Sequence, residues 1–266
     1  MPVVTRKTPA VAALRLLTAA GTNHKLGALI HSFSLPSIDT CPGATSFCRS
    51  LCYATKGHFL NTNVKTLYAR NQIESHRRDF AFRMAKEIRH GLIRNVRIHV
   101  SGDLYSAAYV RKWSAIIRVC PSVKFFAYTR SWRDPAILPA LQVMAALPNM
   151  ALWYSEDRET GRSPNTPGVR VCFLVHTIED EALLDSSRHD LVFRDGRHRR
   201  IDVRPGTLKR IGGVLVCPHE QNQVRRSIAQ KNTIRPPISC SDCRICIRRE
   251  PSRSRETTNP ALIIID

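Results

Sequence analysis

Long apolar runs are missing from this chain of 266 residues. No stretch approaches the ~18 consecutive apolar residues of a membrane span. The early Val11-Ala-Ala-Leu-Arg-Leu-Leu17 segment is short, is broken by Arg15 and suits neither an anchor nor a signal peptide. The sequence therefore reads as cytoplasmic, with no membrane partner. Acidic residues are scarce: 21 Asp and Glu stand against 41 Lys and Arg, a formal charge of +20. Such a deficit points to a polyanionic partner, of which nucleic acid is the commonest. Aromatics are thinnest where cations are densest, since residues 186–255 hold 17 Lys and Arg, 6 Asp and Glu and one aromatic, Phe193. Contact with DNA or RNA phosphates through that region is expected, without a visible stacking platform. No internal repeat is present. An even cysteine count is also missing, and nine thiols in a reducing compartment indicate metal rather than disulfides.

Three of the nine lie in Cys41-Pro-Gly-Ala-Thr-Ser-Phe-Cys48-Arg-Ser-Leu-Cys52-Tyr53, a short loop after an apparent strand. Three thiolates can hold a soft metal or an iron–sulfur cluster, and a cluster that normally takes four Cys would keep one position open. A structural zinc completed by His58 or His31 is the rival. Zinc pairs usually sit two to four residues apart, whereas the gaps here are six and three residues, which suits a cluster loop better.

Periodicity then places this loop in a fold. A short helix near Pro9–Ala19 and a strand over Lys25–Pro36 precede it, and a long helix over Thr62–His90 follows. Asn95–Asp103 reads as a strand broken at Gly102, Tyr109–Cys120 as an amphipathic helix, and Val123–Thr129 as a strand. Asp134-Pro135 opens a helix to Leu147, and Met150–Ser155 and Val169–Val175 are further strands. Cys120 and Cys172 read as packed core thiols. Weaker strands at Leu191–Phe193, Val203 and Gly212–Val216, with a turn at Asp195-Gly196, lead to a short helix near Gln223–Gln230. Strands alternating with helices indicate βαβ units and a mainly parallel sheet, an α/β fold. Ligands in such folds bind beyond the carboxyl ends of the strands. Ser101-Gly102-Asp103, Thr129-Arg130-Ser131, Ser155-Glu156-Asp157 and His176-Thr177 should therefore converge on the rim carrying the cysteine loop.

A second set, Cys240-x2-Cys243-x2-Cys246, has the spacing of a ferredoxin run, with Cys217 as the natural remote ligand. Four thiolates make a closed site, either a second [4Fe–4S] cluster or zinc. The domain reading is an N-terminal arm (1–24), an α/β unit with the cysteine loop (25–216), a small Cys-rich metal-binding extension (217–250) and a tail (251–266).

Asn23-His-Lys-Leu-Gly27, Ser34-Leu-Pro36, the Cys41–Cys52-Tyr-Ala loop, His99-Val-Ser-Gly-Asp103 and the final Cys-x2-Cys-x2-Cys together resemble the phage and mobile-element "gene product 88" family. More distantly, the order of strand, three-cysteine loop, long helix and strand ending in Ser-Gly-Asp is similar to radical SAM iron–sulfur enzymes. That similarity implies a partial (β/α) barrel, with Cys41, Cys48 and Cys52 binding a [4Fe–4S] cluster that chelates S-adenosylmethionine. It further implies Tyr53 beside the cluster and Ser101, Gly102 and Asp103 at the methionine moiety. Thr129, Arg130, Ser155 and Asp157 join them as cofactor-binding candidates, Asp103 and His99 are the catalytic candidates, and an electron donor follows as a partner. The usual radical SAM gaps are three and two residues, so this loop departs from that pattern. A non-enzymatic, metal-stabilised nucleic-acid-binding or regulatory protein is the alternative. Hydrolysis by Asp103, Glu156, Asp157 and His99 around a divalent metal ranks last.

Overall fold

A computed structural model describes residues 15–195, 210–221 and 238–249. Its centre is a sheet of six parallel strands in sequential order: β1 (His31–Phe33), β2 (Asn95–Ile98), β3 (Lys124–Thr129), β4 (Met150–Glu156), β5 (Arg170–Val175) and β6 (Leu191–Arg194). Alternation along the strands separates two faces. Val96, Ile98, Phe125, Ala127, Leu152 and Tyr154 pack into one large core with the helices α3 (Phe80–His90), α4 (Ala107–Val119) and α5 (Leu138–Ala145). The alternate residues Phe126, Tyr128, Ala151 and Trp153 face Leu26 and Ile30 from the N-terminal side and Cys240, Cys246 and Ile247 from the C-terminal side. Every residue of β4 is buried, which explains why Met150-Ala-Leu-Trp-Tyr reads as an unbroken apolar run.

The long helix expected over Thr62–His90 is two helices, α2 (Thr62–His76) and α3, separated at Arg77–Asp79. Lys112 Nζ takes the carbonyls of Ser75 and Arg77 at 2.8 and 2.9 Å, ending α2. The break brings Phe80 edge-on to Phe33 and Trp113 in the core. The strand expected from Lys25 is confined to β1, because Asn23 Oδ1 accepts the N–H groups of Lys25 and Leu26 and bends the chain. Residues 15–19 are not helical, and Thr18 pairs antiparallel with Ser32 instead. Asp134 bonds the N–H of Ala136 at 2.8 Å in a turn, so regular helix begins only at Leu138.

Beyond the sheet, α6 (Ile178–Glu181) follows β5, and a hairpin of β7 (Arg210–Ile211) and β8 (Val214–Leu215) packs on Phe173 and Val192. Of the other expectations, residues 1–14, the Gly196–Val203 turn and strand, the Gln223–Gln230 helix and the 251–266 tail lie outside the described residues.

Candidate functional site at the strand-end rim

β1 and β2 stay paired to their ends, with His99 N–H on the Phe33 carbonyl and Leu35 N–H on the Ser101 carbonyl, both at 2.9 Å. This delivers the cysteine loop and Ser101-Gly102-Asp103 side by side. Gly102 has φ 78°, and a Cβ there would lie 2.6 Å from Thr40 Oγ1 and 2.7 Å from Leu35 Cβ. Glycine lets the two segments touch. Gly43 is tighter still, since its Cβ would fall 1.8 Å from the Arg130 carbonyl oxygen. Arg133 Nη1 fixes that approach through the Gly43 carbonyl at 2.9 Å.

Past Gly43 the loop turns into α1 (Ser46–Leu51), which carries Cys48. Thr45 caps it, accepting the N–H of Cys48 at 2.9 Å while its own hydroxyl donates to Asp157 Oδ2 at 3.0 Å. Arg130 Nε reaches the same oxygen at 3.1 Å, and the N–H groups of Glu159 and Thr160 bond Asp157 Oδ1 at 2.9 and 3.1 Å. The ends of β3 and β4 and the loop thus meet at one enclosed carboxylate. His176 joins through its ring contact with Phe47 of α1.

Asp103 is buried. Its Oδ1 takes the Leu104 N–H at 2.7 Å and its Oδ2 the Arg130 N–H at 2.9 Å, with Thr129 also bonded to it. Burial raises its pKa against these hydrogen bonds. Burial first, then the charge of Asp103 and lesser contributions from Cys48 and Cys52, pushes the Cys41 thiol up to about 12 against a hydrogen bond to the Ile38 backbone. Cys48 is also raised by burial, although Arg130 opposes the shift. The three thiols therefore lie within charge reach of one another, and burial keeps Cys41 and Cys48 protonated at neutral pH.

Tyr53 opens the turn after Cys52. The residue is 54% exposed and its hydroxyl donates to the Val100 carbonyl. Ser155 Oγ pairs with the buried Cys172 Sγ at 3.2 Å. His99 faces away from the thiols: its Nε2 meets Tyr109 Oη at 2.9 Å among the helices, and its Nδ1 is buried without a partner. Burial lowers its pKa to about 3, so the ring stays neutral. His31 faces Arg15 and Glu87.

Cys217, Cys240, Cys243 and Cys246 line one cavity of about 10 Å³ with His219, Leu191 and Ile245. That is about the room of one water. Cys240 N–H bonds the Lys25 carbonyl at 2.8 Å and Cys217 N–H the Val192 carbonyl at 2.9 Å, tying the segment to the sheet. Trp153 Nε1 holds the Cys246 carbonyl at 3.1 Å, and Arg170 lies 3.8 Å over the same indole. Burial pushes Cys240 up to about 11 and Cys243 up to about 12. Among the described residues, no three His, Cys, Asp or Glu side chains are gathered closely enough to form a ready-made metal cage. Each set nevertheless supplies soft sulfur donors from one neighbourhood, the donor type that clusters and zinc take.

Sequence reasoning did not single out Thr45 or the Arg130–Asp157 joint. It also passed over Arg97, whose guanidinium lies 5.2 Å over Phe126 and 4.6 Å over Tyr128. An arginine at the middle of an apolar strand was the available signal. In the expected phosphate-binding region, Arg188 pairs with Glu156, Arg194 with Glu181, and Arg249 bonds the last carbonyls of α5. Arg197–Arg200 and Arg225-Arg226 lie outside the described residues. No helix among the described residues is long and apolar enough to cross a membrane.

The model of the gene product 88 family matches residues 6–249. The Gene 88 protein of Mycobacterium phage L5 is 32% identical over 157 residues, covering 52% of this chain and 61% of that protein. Its counterpart in Mycobacterium phage D29 is 30% identical over 150 residues, covering 52% and 60%. The match thus spans about three-fifths of the length of these curated relatives. No solved structure matches the chain.

Proposed function

The chain belongs to the gene product 88 family, and we propose that it is an iron–sulfur protein whose rim works as radical-SAM-like enzymes do, on or with nucleic acid in a phage or mobile-element setting. The observation that supports this most is the meeting of Cys41, Cys48 and Cys52 with Asp103 and Arg130 at the ends of sequential parallel strands. Sequential order with helices packed on one face is the connectivity of an open (β/α) barrel wall.

In this reading Cys41, Cys48 and Cys52 hold a [4Fe–4S] cluster, and Cys217, Cys240, Cys243 and Cys246 hold a second cluster or zinc. When bound and reduced, the open cluster supplies an electron from a partner donor to S-adenosylmethionine. The chain's own residues do the rest. Asp103, backed by Ser101, Gly102 and Thr129, presents a fixed carboxylate suited to an ammonium group, and Arg130 offers positive charge towards Cys48 and Asp157. Tyr53 and Ser155 border the same rim, while neutral His99 acts in packing and orientation. Because the thiols of Cys41 and Cys243 sit near 12, metal uptake must displace protons and strengthens with pH.

A second reading, a metal-stabilised nucleic-acid binder, is favoured by the four-cysteine set, which is packed against the sheet like a structural element. Anaerobic purification with iron, sulfide and zinc counting tests the metal. Cys48→Ala and Cys243→Ala should each remove about half of it, and full retention by both refutes two sites. The reduced protein should bind S-adenosylmethionine and release 5′-deoxyadenosine, and Asp103→Asn should weaken that binding with metal content intact. If the loaded protein neither binds nor cleaves it, the second reading stands.

A further inference from the structure

The N-terminal strand edge and α3 enclose a groove of about 700 Å³. Its existence follows from the way residues 15–19 are fastened. Thr18 exchanges backbone hydrogen bonds with Ser32 at 2.8 and 3.1 Å, and the Glu87 carboxylate accepts the N–H groups of Leu16 and Leu17 at 2.7 and 3.0 Å. The arm is held along Leu16–Thr18, and a groove opens between it and the exposed ridge of α3.

The groove carries two kinds of wall. Leu17 and Ile93 form an apolar floor beside Phe82, a residue 66% exposed to solvent. Arg15 and Lys86 supply positive charge, with His90 beside them at the end of α3. No carboxylate among the described residues pairs with the Arg15 or Lys86 side chain, whereas Arg83 in the same wall is taken by Glu74. Glu87 is the one acid among the described lining residues, and both its oxygens are occupied by the arm's N–H groups. A volume of this size is that of a small-molecule site. An exposed aromatic next to unpaired cations is the pairing that recognises a base and its phosphate together.

We propose that this groove is a nucleotidyl-phosphate site, with the phosphate on Arg15 and Lys86 and the base against Phe82. A free mononucleotide and a single-stranded nucleic acid present the same chemistry. The site stands apart from both cysteine sets and does not depend on the metal reading.

Fluorescence anisotropy with a labelled oligothymidylate, competed by thymidine monophosphate and by inorganic phosphate, tests it on the full chain. Lys86→Glu and Phe82→Ala both alter exposed side chains, and a melting curve confirms that each variant folds. Phe82→Ala should weaken oligonucleotide binding about tenfold, as removal of one stacking partner does. Lys86→Glu should weaken it at least as much and lower the salt dependence by about 0.7 log units per log unit of salt for each phosphate no longer neutralised. Competition by the mononucleotide assigns the site to nucleotides, and binding of the strand alone assigns it to nucleic acid. Wild-type affinity in both variants, failure of both probes to bind, or equal competition by inorganic phosphate overturns the proposal. Arg199→Glu with Arg200→Glu, in the other basic region, should leave the Phe82 effect unchanged.

Discussion

Replacing Asp157 by Ala removes the joint between the cysteine loop and the sheet. The Asp157 side chain has no exposed surface, and its oxygens take Thr45 Oγ1 at 3.0 Å, Arg130 Nε at 3.1 Å and the N–H groups of Glu159 and Thr160. Breaking a buried ion pair from one side costs about 3–5 kcal/mol, because the remaining charge is left without compensation. Asp103 stays within charge reach of Arg130, which puts the expected loss at the lower end, about 3 kcal/mol. At about 2–4 °C per kcal/mol for a chain of this size, the melting temperature should fall by about 6–12 °C. Thermal unfolding followed by circular dichroism measures this. Asp157→Leu combined with Arg130→Leu should recover part of the loss, since both charges then leave together. If the proposed metal sites are real, metal at Cys41, Cys48 and Cys52 should drop as well, because Thr45 loses its acceptor, while metal at the second set stays. A stability loss below about 1 kcal/mol, or equal metal loss at both sets, would refute the reasoning.

Gly43→Ala would place a methyl group 1.8 Å from the Arg130 carbonyl oxygen, so the loop must lift. Metal counting should show loss from the first set only, and an unchanged content would count against the close approach. Acid stability offers another check. Burial raises the Glu156 carboxyl, but hydrogen bonds from His189, Arg188 and Ser163 outweigh it and hold the group at about 2. Its folded pKa lies below the unfolded one, so its contribution, about 2 kcal/mol after allowing for solvent screening, is present above about pH 5 and lost as pH falls towards 2. Glu156→Gln should flatten that part of the curve of stability against pH. His99, lowered to about 3 by burial, adds a loss that begins below the unfolded value of 6.5. Its imidazole resonances should not titrate between about pH 8 and pH 4, and a midpoint near 6.5 would show that the ring reaches solvent.

Much of the fold was legible in the chain, because a parallel sheet buried on both faces writes itself as short apolar runs. Phe125–Thr129, Met150–Glu156 and Arg170–Val175 are such runs, and the polar residues after each mark the rim. The thiol sets were equally plain, since ligand type and spacing are local properties. Other features depend on contacts between segments far apart in sequence. The break between α2 and α3 depends on Lys112, more than thirty residues downstream of the carbonyls it takes. His99 looked like a rim group, yet its φ of 65° and its bond to Tyr109 turn it among the helices. Thr45 could be read as a helix cap from its neighbours. Its second role, donating to Asp157 from 112 residues away, exists only once the strands are stacked in order. The groove beside Phe82 is likewise invisible along the chain, because its cations and its ring come from an arm and a helix joined by the Glu87 carboxylate. Periodicity and spacing determined which residues could carry chemistry. Tertiary packing decided which of them meet, because hydrogen-bond partners and desolvation are set by distance in space and not along the chain.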